Sequence, residues 1–185
     1  MSARGRGVRA DARRNRTRIL EAAEIVFAEH GAAASTEAVA ARAGVAIGTV
    51  FRHFPTKPEL VSAVVMNLWD RLVGDVDVMV DAGDANALFD FCVLVMAVSA
   101  ENRAVFERLA ETGTRGRVSD ALERLRPAVD QLLERAKTAG AVRRDLEGDE
   151  VIALLGAVCQ EAMAGAWSEA LRSRVLGILF DGMRP

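Results

Sequence analysis

The spacing of apolar residues limits this chain more than any other feature. They return at steps of three and four almost throughout, and no stretch alternates with period two for long enough to make a strand. An all-α fold is therefore expected. The spacing predicts helices over 17–30, 35–42, 46–53, 56 to about 80, 85–99, 102–112, 117–139, 149–165 and 168–181. Several boundaries carry their own chemistry. Ile19, Leu20, Ala23, Val26 and Phe27 give the first helix its stripe, and Gly31 stops it. Ser35 suits an N-cap, with Glu37 placed where a carboxylate complements the helix dipole. Gly44 breaks the second helix, and Pro55 ends the third by pushing the preceding residue out of the α region. In Thr56-Lys57-Pro58-Glu59 the threonine hydroxyl can accept from the Glu59 amide, the carboxylate can bond back, and Pro58 sits where no amide is missed. Pro127, inside the 117–139 segment, should kink or split it.

Composition narrows the class. At 185 residues, 51% apolar and 27% charged, the chain has the material for a packed core. The longest uncharged apolar stretches, 91–100 and 151–160, fall far short of the roughly 20 residues a membrane span needs. With no apolar leader run, a cytoplasmic location is expected. Cys92 and Cys159 lack CxxC spacing and lie in apolar segments, so buried, reduced thiols are expected. The two histidines, His30 and His53, accompany no nucleophile, metal or phosphate-loop signature. Neither catalysis nor a metal or cofactor is expected.

The net charge of −2 conceals an asymmetry. Residues 1–18 hold seven arginines and one acid, a net +6, whereas 19–60 carry −2 and 61–185 carry −6. A basic end on an acidic body suits a polyanion partner, because neutralising phosphates releases counterions. A solvated Arg/Gly tail would have the same composition.

The three short helices of 17–53, the second and third joined at Ala43-Gly44-Val45, have the spacing of a helix-turn-helix. Gly44 tolerates the left-handed turn and Val45 can pin it to the core. Val39, Ala40 and Val50 can then pack inward, leaving Ala46, Ile47, Thr49 and Arg52 outward.

The run Gly44-Val45-Ala46-Ile47-Gly48-Thr49-Val50-Phe51-Arg52-His53-Phe54-Pro55-Thr56-Lys57-Pro58-Glu59-Leu60 closely resembles the signature of TetR-family transcriptional regulators. Ile19-Leu20-Glu21-Ala22-Ala23 and Val39-Ala40-Ala41-Arg42-Ala43 fit at the right distances. The resemblance implies a flexible Arg-rich tail at 1–16, a DNA-binding domain at 17–58, and a helical effector-binding and dimerisation domain at 59–185. It also implies a homodimer, built through the last two helices, on double-stranded DNA. Ala46, Ile47 and Gly48 take the start of the recognition helix, where none offers a side-chain hydrogen bond, so apolar contacts such as Ile47 on a thymine methyl are expected there. Arg52 and the basic arm are left to make polar contacts. Thr49, His53 and Lys57 match phosphate-touching positions, and Ser35, Thr36 and the amide end of the second helix can act likewise. Phe51 is counted with these DNA-binding positions; it replaces the usual tyrosine, keeps the packing but loses a phosphate-bonding hydroxyl, and is expected in the core.

Beyond residue 60, Met66, Trp69, Phe89, Phe91, Cys92, Met96, Phe106, Leu109, Leu122 and Leu125 are apolar candidates to line an effector cavity, although core packing gives the same pattern. Asn102 and Arg103 are polar candidates. The segments 140–146 and 179–185 resemble an actinobacterial SbtR-like subgroup. The expected protein is a repressor released from a palindromic operator by a small apolar or amphipathic effector; the alternative is a DNA-binding regulator without such a ligand, constitutive or controlled by a protein.

Overall fold

Cap residues and apolar stripes cut the chain into nine α-helices, with no strand, among the residues described by the computed structural model: the backbone of 3–111 and 115–185, and the side chains of 11–31, 33–107 and 125–185. The helices are α1 (Ala3–His30), α2 (Thr36–Ala43), α3 (Ile47–His53), α4 (Lys57–Ala82), α5 (Ala87–Glu101), α6 (Arg103–Glu111), α7 (Arg115–Thr138), α8 (Gly148–Ala164) and α9 (Glu169–Met183), with a 3-10 turn at Gly31–Ala33. Among these residues no helix is long and apolar enough to cross a membrane.

Two boundaries differ from the sequence reading. Helix α1 starts at Ala3 rather than at Thr17, so the backbone of the Arg-rich segment read as a flexible tail is helical. Arginine and alanine are strong helix formers, and Arg14 pairs with Asp11 one turn earlier. Helix α7 runs through the exposed Pro127 without splitting. A proline on a solvent face removes one backbone bond but need not end a long helix.

The described chain forms two compact units. The first holds α1, α2, α3, the part of α4 up to Asn67, and α6. This compact unit ends inside α4 and includes α6. Ile19, Phe27, Val39, Val50, Leu60 and Val105 are fully buried and make its core. Helix α6 packs against α1 and the 3-10 turn, starting at the buried Asn102, whose carbonyl accepts from Val105 and Phe106. Arg103 is exposed and pairs with Glu107.

The second unit holds α4 from Leu68, α5, α7 from Gly116, α8 and α9. Helix α5, with Leu88, Phe91, Cys92, Val95 and Met96 buried, packs on α8 and α9. Arg135 of α7 donates to the Val80 carbonyl near the end of α4, Arg126 pairs with Asp149 at the start of α8, and the Arg143 amide donates to the Met183 carbonyl at 2.9 Å. Glu147 and Glu150 form a reciprocal capping box at the start of α8, and Ser168 caps α9 by accepting from the Leu171 amide.

Both cysteines are free and buried in this unit. Burial, and secondarily the nearby Cys159, pushes the Cys92 thiol up to about 12; burial pushes Cys159 up to about 11, against a hydrogen bond with Ser99 that lowers it. A raised native pKa stabilises the protonated form. Its contribution to stability is intact below the unfolded thiol value of about 8.5 and is lost as pH rises towards 11–12. Because the chain has no tyrosine, thiolate absorbance near 240 nm is free of tyrosinate background. Thiolate absorbance in the folded protein should stay absent at pH 9.5 and appear in urea, with the denaturation midpoint falling above pH 8.5. Titration of both thiols near 8.5 in the native state would contradict this packing.

Candidate nucleic-acid interface

The site is built from the loop before α2. Ser35, extended at φ −112° and ψ 155°, accepts from the Ala38 amide at 3.1 Å and so caps the helix. Thr36 is half-buried, its hydroxyl directed to the Glu37 carboxylate at 3.4 Å. Arg42 holds α2 against α1 through a 2.9 Å ion pair with Glu29.

Helix α2 ends at Gly44, at φ 62° and ψ 41°, whose amide donates to Ala40 and Ala41; the Val45 amide donates to Ala40 at 3.1 Å. The carbonyl of Ala43 accepts from Arg18 of α1 at 2.5 Å. Arg18 therefore caps the turn, a role that no local pattern separates from those of the other N-terminal arginines. A Cβ on Gly44 would stand 2.8 Å from the Arg18 Nη2 atom. Val45 is half-buried, and Ala46 starts α3 from an extended conformation without a side-chain cap.

Seven residues of α3 separate two faces. Val50 is fully buried, and the following Phe54 is buried beneath the Arg16 guanidinium, 5.2 Å from its ring centre. Ala46, Ile47, Gly48, Phe51 and Arg52 are exposed; Thr49 and His53 are half-buried. Phe51 corrects the expectation of a core residue: it is 44% exposed, beside Ile47 at 36%. Val50 already takes the inward position, and the next residue points about 100° away, onto the face of Ile47 one turn earlier.

At the start of α4, the Glu59 amide donates to Thr56 Oγ1 at 3.3 Å, as expected of a cap. The Glu59 carboxylate accepts from the Thr56 hydroxyl at 3.2 Å. Lys57, expected to face phosphate alone, donates to the Ala34 carbonyl. That bond ties the beginning of α4 to the residue preceding Ser35.

The candidate effector residues fall in both units. Met66 and Phe106 are half-buried in the first unit. Trp69, Phe89, Cys92 and Met96 are buried in the second, with Phe91 and Leu125. Phe89 packs on Phe180 of α9 at 4.8 Å and lies below Arg184, so helix packing accounts for it. Leu109 and Leu122 lie outside the described side chains. A surface cavity of about 270 Å³ occurs elsewhere, at the turn after α7, lined by Lys137, Gly140, Val142, Arg143 and Arg144 among others.

This arrangement defines a helix-turn-helix protein with an outward recognition helix and a separate helical domain. Residues 19–64 match the family described as "Bacterial regulatory proteins, tetR family", and residues 84–185 match "Transcriptional regulator SbtR-like, C-terminal domain". The chain is similar to a TetR transcription regulatory protein from Mycobacterium vanbaalenii, at 32% identity over 96% of this chain and 99% of that one, with a TM-score of 0.77. A TetR transcriptional regulator from Streptomyces coelicolor follows at 28% identity, covering 92% and 98%, with a TM-score of 0.75. An HTH-type transcriptional repressor of Mycobacterium tuberculosis is 53% identical over 55 residues; the match spans only 29% of each chain. The protein belongs to the TetR family of DNA-binding transcriptional regulators.

The Gly44 turn makes a quantitative demand. Gly44→Ala should lower unfolding free energy by about 1–2 kcal/mol, the cost of a side chain in the left-handed region. Urea denaturation measures it; an unchanged midpoint would show that the turn is not held at positive φ.

Proposed function

We propose that this protein is a homodimeric repressor that reads a palindromic operator with α3 and releases it when a small apolar or amphipathic effector binds. The observation that carries the DNA-reading part is the division of α3 into a buried anchor, Val50, and an exposed opposite face of Ala46, Ile47, Gly48, Phe51 and Arg52. Ile47 and Gly48 approach base edges; Arg52, Thr49 and His53 supply polar contacts alongside. Ser35, Thr36 and Lys57 form a second phosphate-facing group at the neighbouring starts of α2 and α4. The net +6 of residues 1–18 adds affinity independent of sequence.

Dimerisation through α8 and α9 is supported by apolar side chains left in solvent there. Leu154, Leu171 and Ile178 are 46%, 42% and 72% exposed, and a Cβ on Gly156 or Gly177 would meet nothing within 4 Å. A two-fold dimer matches a palindrome, and each effector would act by favouring one helix arrangement over another. The printed name of the Mycobacterium tuberculosis relative supports repression.

Mobility shift on DNA flanking the gene, across a salt series, should show a specific complex. Ile47→Glu should weaken it at least tenfold (about 1.4 kcal/mol or more) with unchanged helicity, because a carboxylate would face phosphate and base acceptors. Equal affinity of the variant, or no preference of the wild type for any sequence at moderate salt, would refute the reading. Ile178→Asp should shift sedimentation from dimer towards monomer and weaken the complex; an unshifted dimer would rule out the α8–α9 interface.

A further inference from the structure

On the outward face of α3, Ile47 and Phe51 stand one turn apart and are 36% and 44% exposed. Around them Ala46 and Gly48 offer no polar side-chain atom, and a Cβ on Gly48 would meet nothing within 4 Å. The centre of the reading surface is consequently apolar, with Arg52 exposed at its edge. Within the major groove the one bulky apolar base-edge group is the C5-methyl of thymine; cytosine shows only a small C5–H at that place, and the remaining groups are donors or acceptors that an apolar side chain would desolvate without replacing their hydrogen bonds.

We infer that this protein recognises its half-site through thymine methyl groups, one against Ile47 and one against Phe51, rather than through side-chain hydrogen bonds to bases. The inference rests on the DNA-reading role proposed above and deepens it. Four residues of helix rise about 6 Å, and bases on one strand are about 3.4 Å apart, so the two methyls lie one or two base steps from each other. The open space at Gly48 lets the helix backbone come close enough to the groove floor for both contacts. Without a hydroxyl to hydrogen-bond, the exposed Phe51 ring has only an apolar surface to offer the groove.

The test uses the full chain and duplexes selected by the protein itself from a random library prepared with ordinary thymidine. The selected consensus is resynthesised with uracil at single thymines, which removes one methyl and leaves base pairing intact, and is titrated by fluorescence anisotropy at fixed salt. Uracil at two positions per half-site should weaken binding about fourfold for each methyl removed, the equivalent of about 0.8 kcal/mol per buried methyl(ene). 5-Methylcytosine paired with guanine should bind more tightly there than cytosine. Ile47→Ala should become indifferent to uracil at one of the positions and Phe51→Ala at the other, while Arg52→Ala weakens thymine and uracil duplexes equally. Exposure of both apolar side chains makes the variants compatible with folding, which circular dichroism checks. A consensus whose uracil duplexes bind as tightly as the thymine ones overturns the methyl inference and leaves the regulator reading standing. A library that yields no consensus overturns both.

Discussion

The carbonyl of Ala43 ties the helix-turn-helix turn to α1. Ala43 is the last residue of α2, and its oxygen would be an unsatisfied acceptor at a helix end were it not bonded by Arg18, at 2.5 Å, from the neighbouring α1. Gly44 makes this possible in two ways. Its φ of 62° turns the chain out of the helix, and the missing Cβ leaves room for the guanidinium. One arginine of the basic N-terminal segment is therefore structural, fixing the angle at which α3 leaves α2.

Helix α3 is too short to persist by itself, because seven residues do not recover the cost of nucleating a helix. Its order comes from Val50 inside the core, the Phe54 amide returned to the Val50 carbonyl at 2.8 Å, and Phe54 held below Arg16. These anchors lie on one side. The other side is free of structural duty, so exposed apolar residues can be kept there for recognition. Lys57 likewise ties the start of α4 to the Ala34 carbonyl, at the residue before the Ser35 cap.

Most of the fold was legible in the sequence because its boundaries are chemical and local. Ser35, Gly44, Thr56 and Gly140 each act on neighbouring backbone, and α2 through α9 lie close to where their spacing placed them. What escaped was set by distant partners or by ambiguous chemistry. Arginines at positions 13, 14, 16 and 18 look identical in a string, yet Arg18 meets Ala43 and Arg16 meets Phe54. Phe51 has the apolar character of a core residue, yet it follows the inward Val50 on the helix and is 44% exposed. The candidate effector residues are ambiguous for a different reason: an apolar stripe has the same spacing whether it lines a cavity or packs on a helix, and Phe89, for one, packs on Phe180.

Hydroxyl-radical footprinting of the protein, read by mass spectrometry, addresses the outward face of α3 directly. Free in solution, Phe51 should be oxidised readily and Phe27, 1% exposed, should not. On addition of a selected duplex, protection should appear at Ile47, Phe51 and Arg52 while Phe27 stays unlabelled. Undiminished labelling of Phe51 in a saturated complex would contradict the account, since the face assigned to the groove would then still be in water.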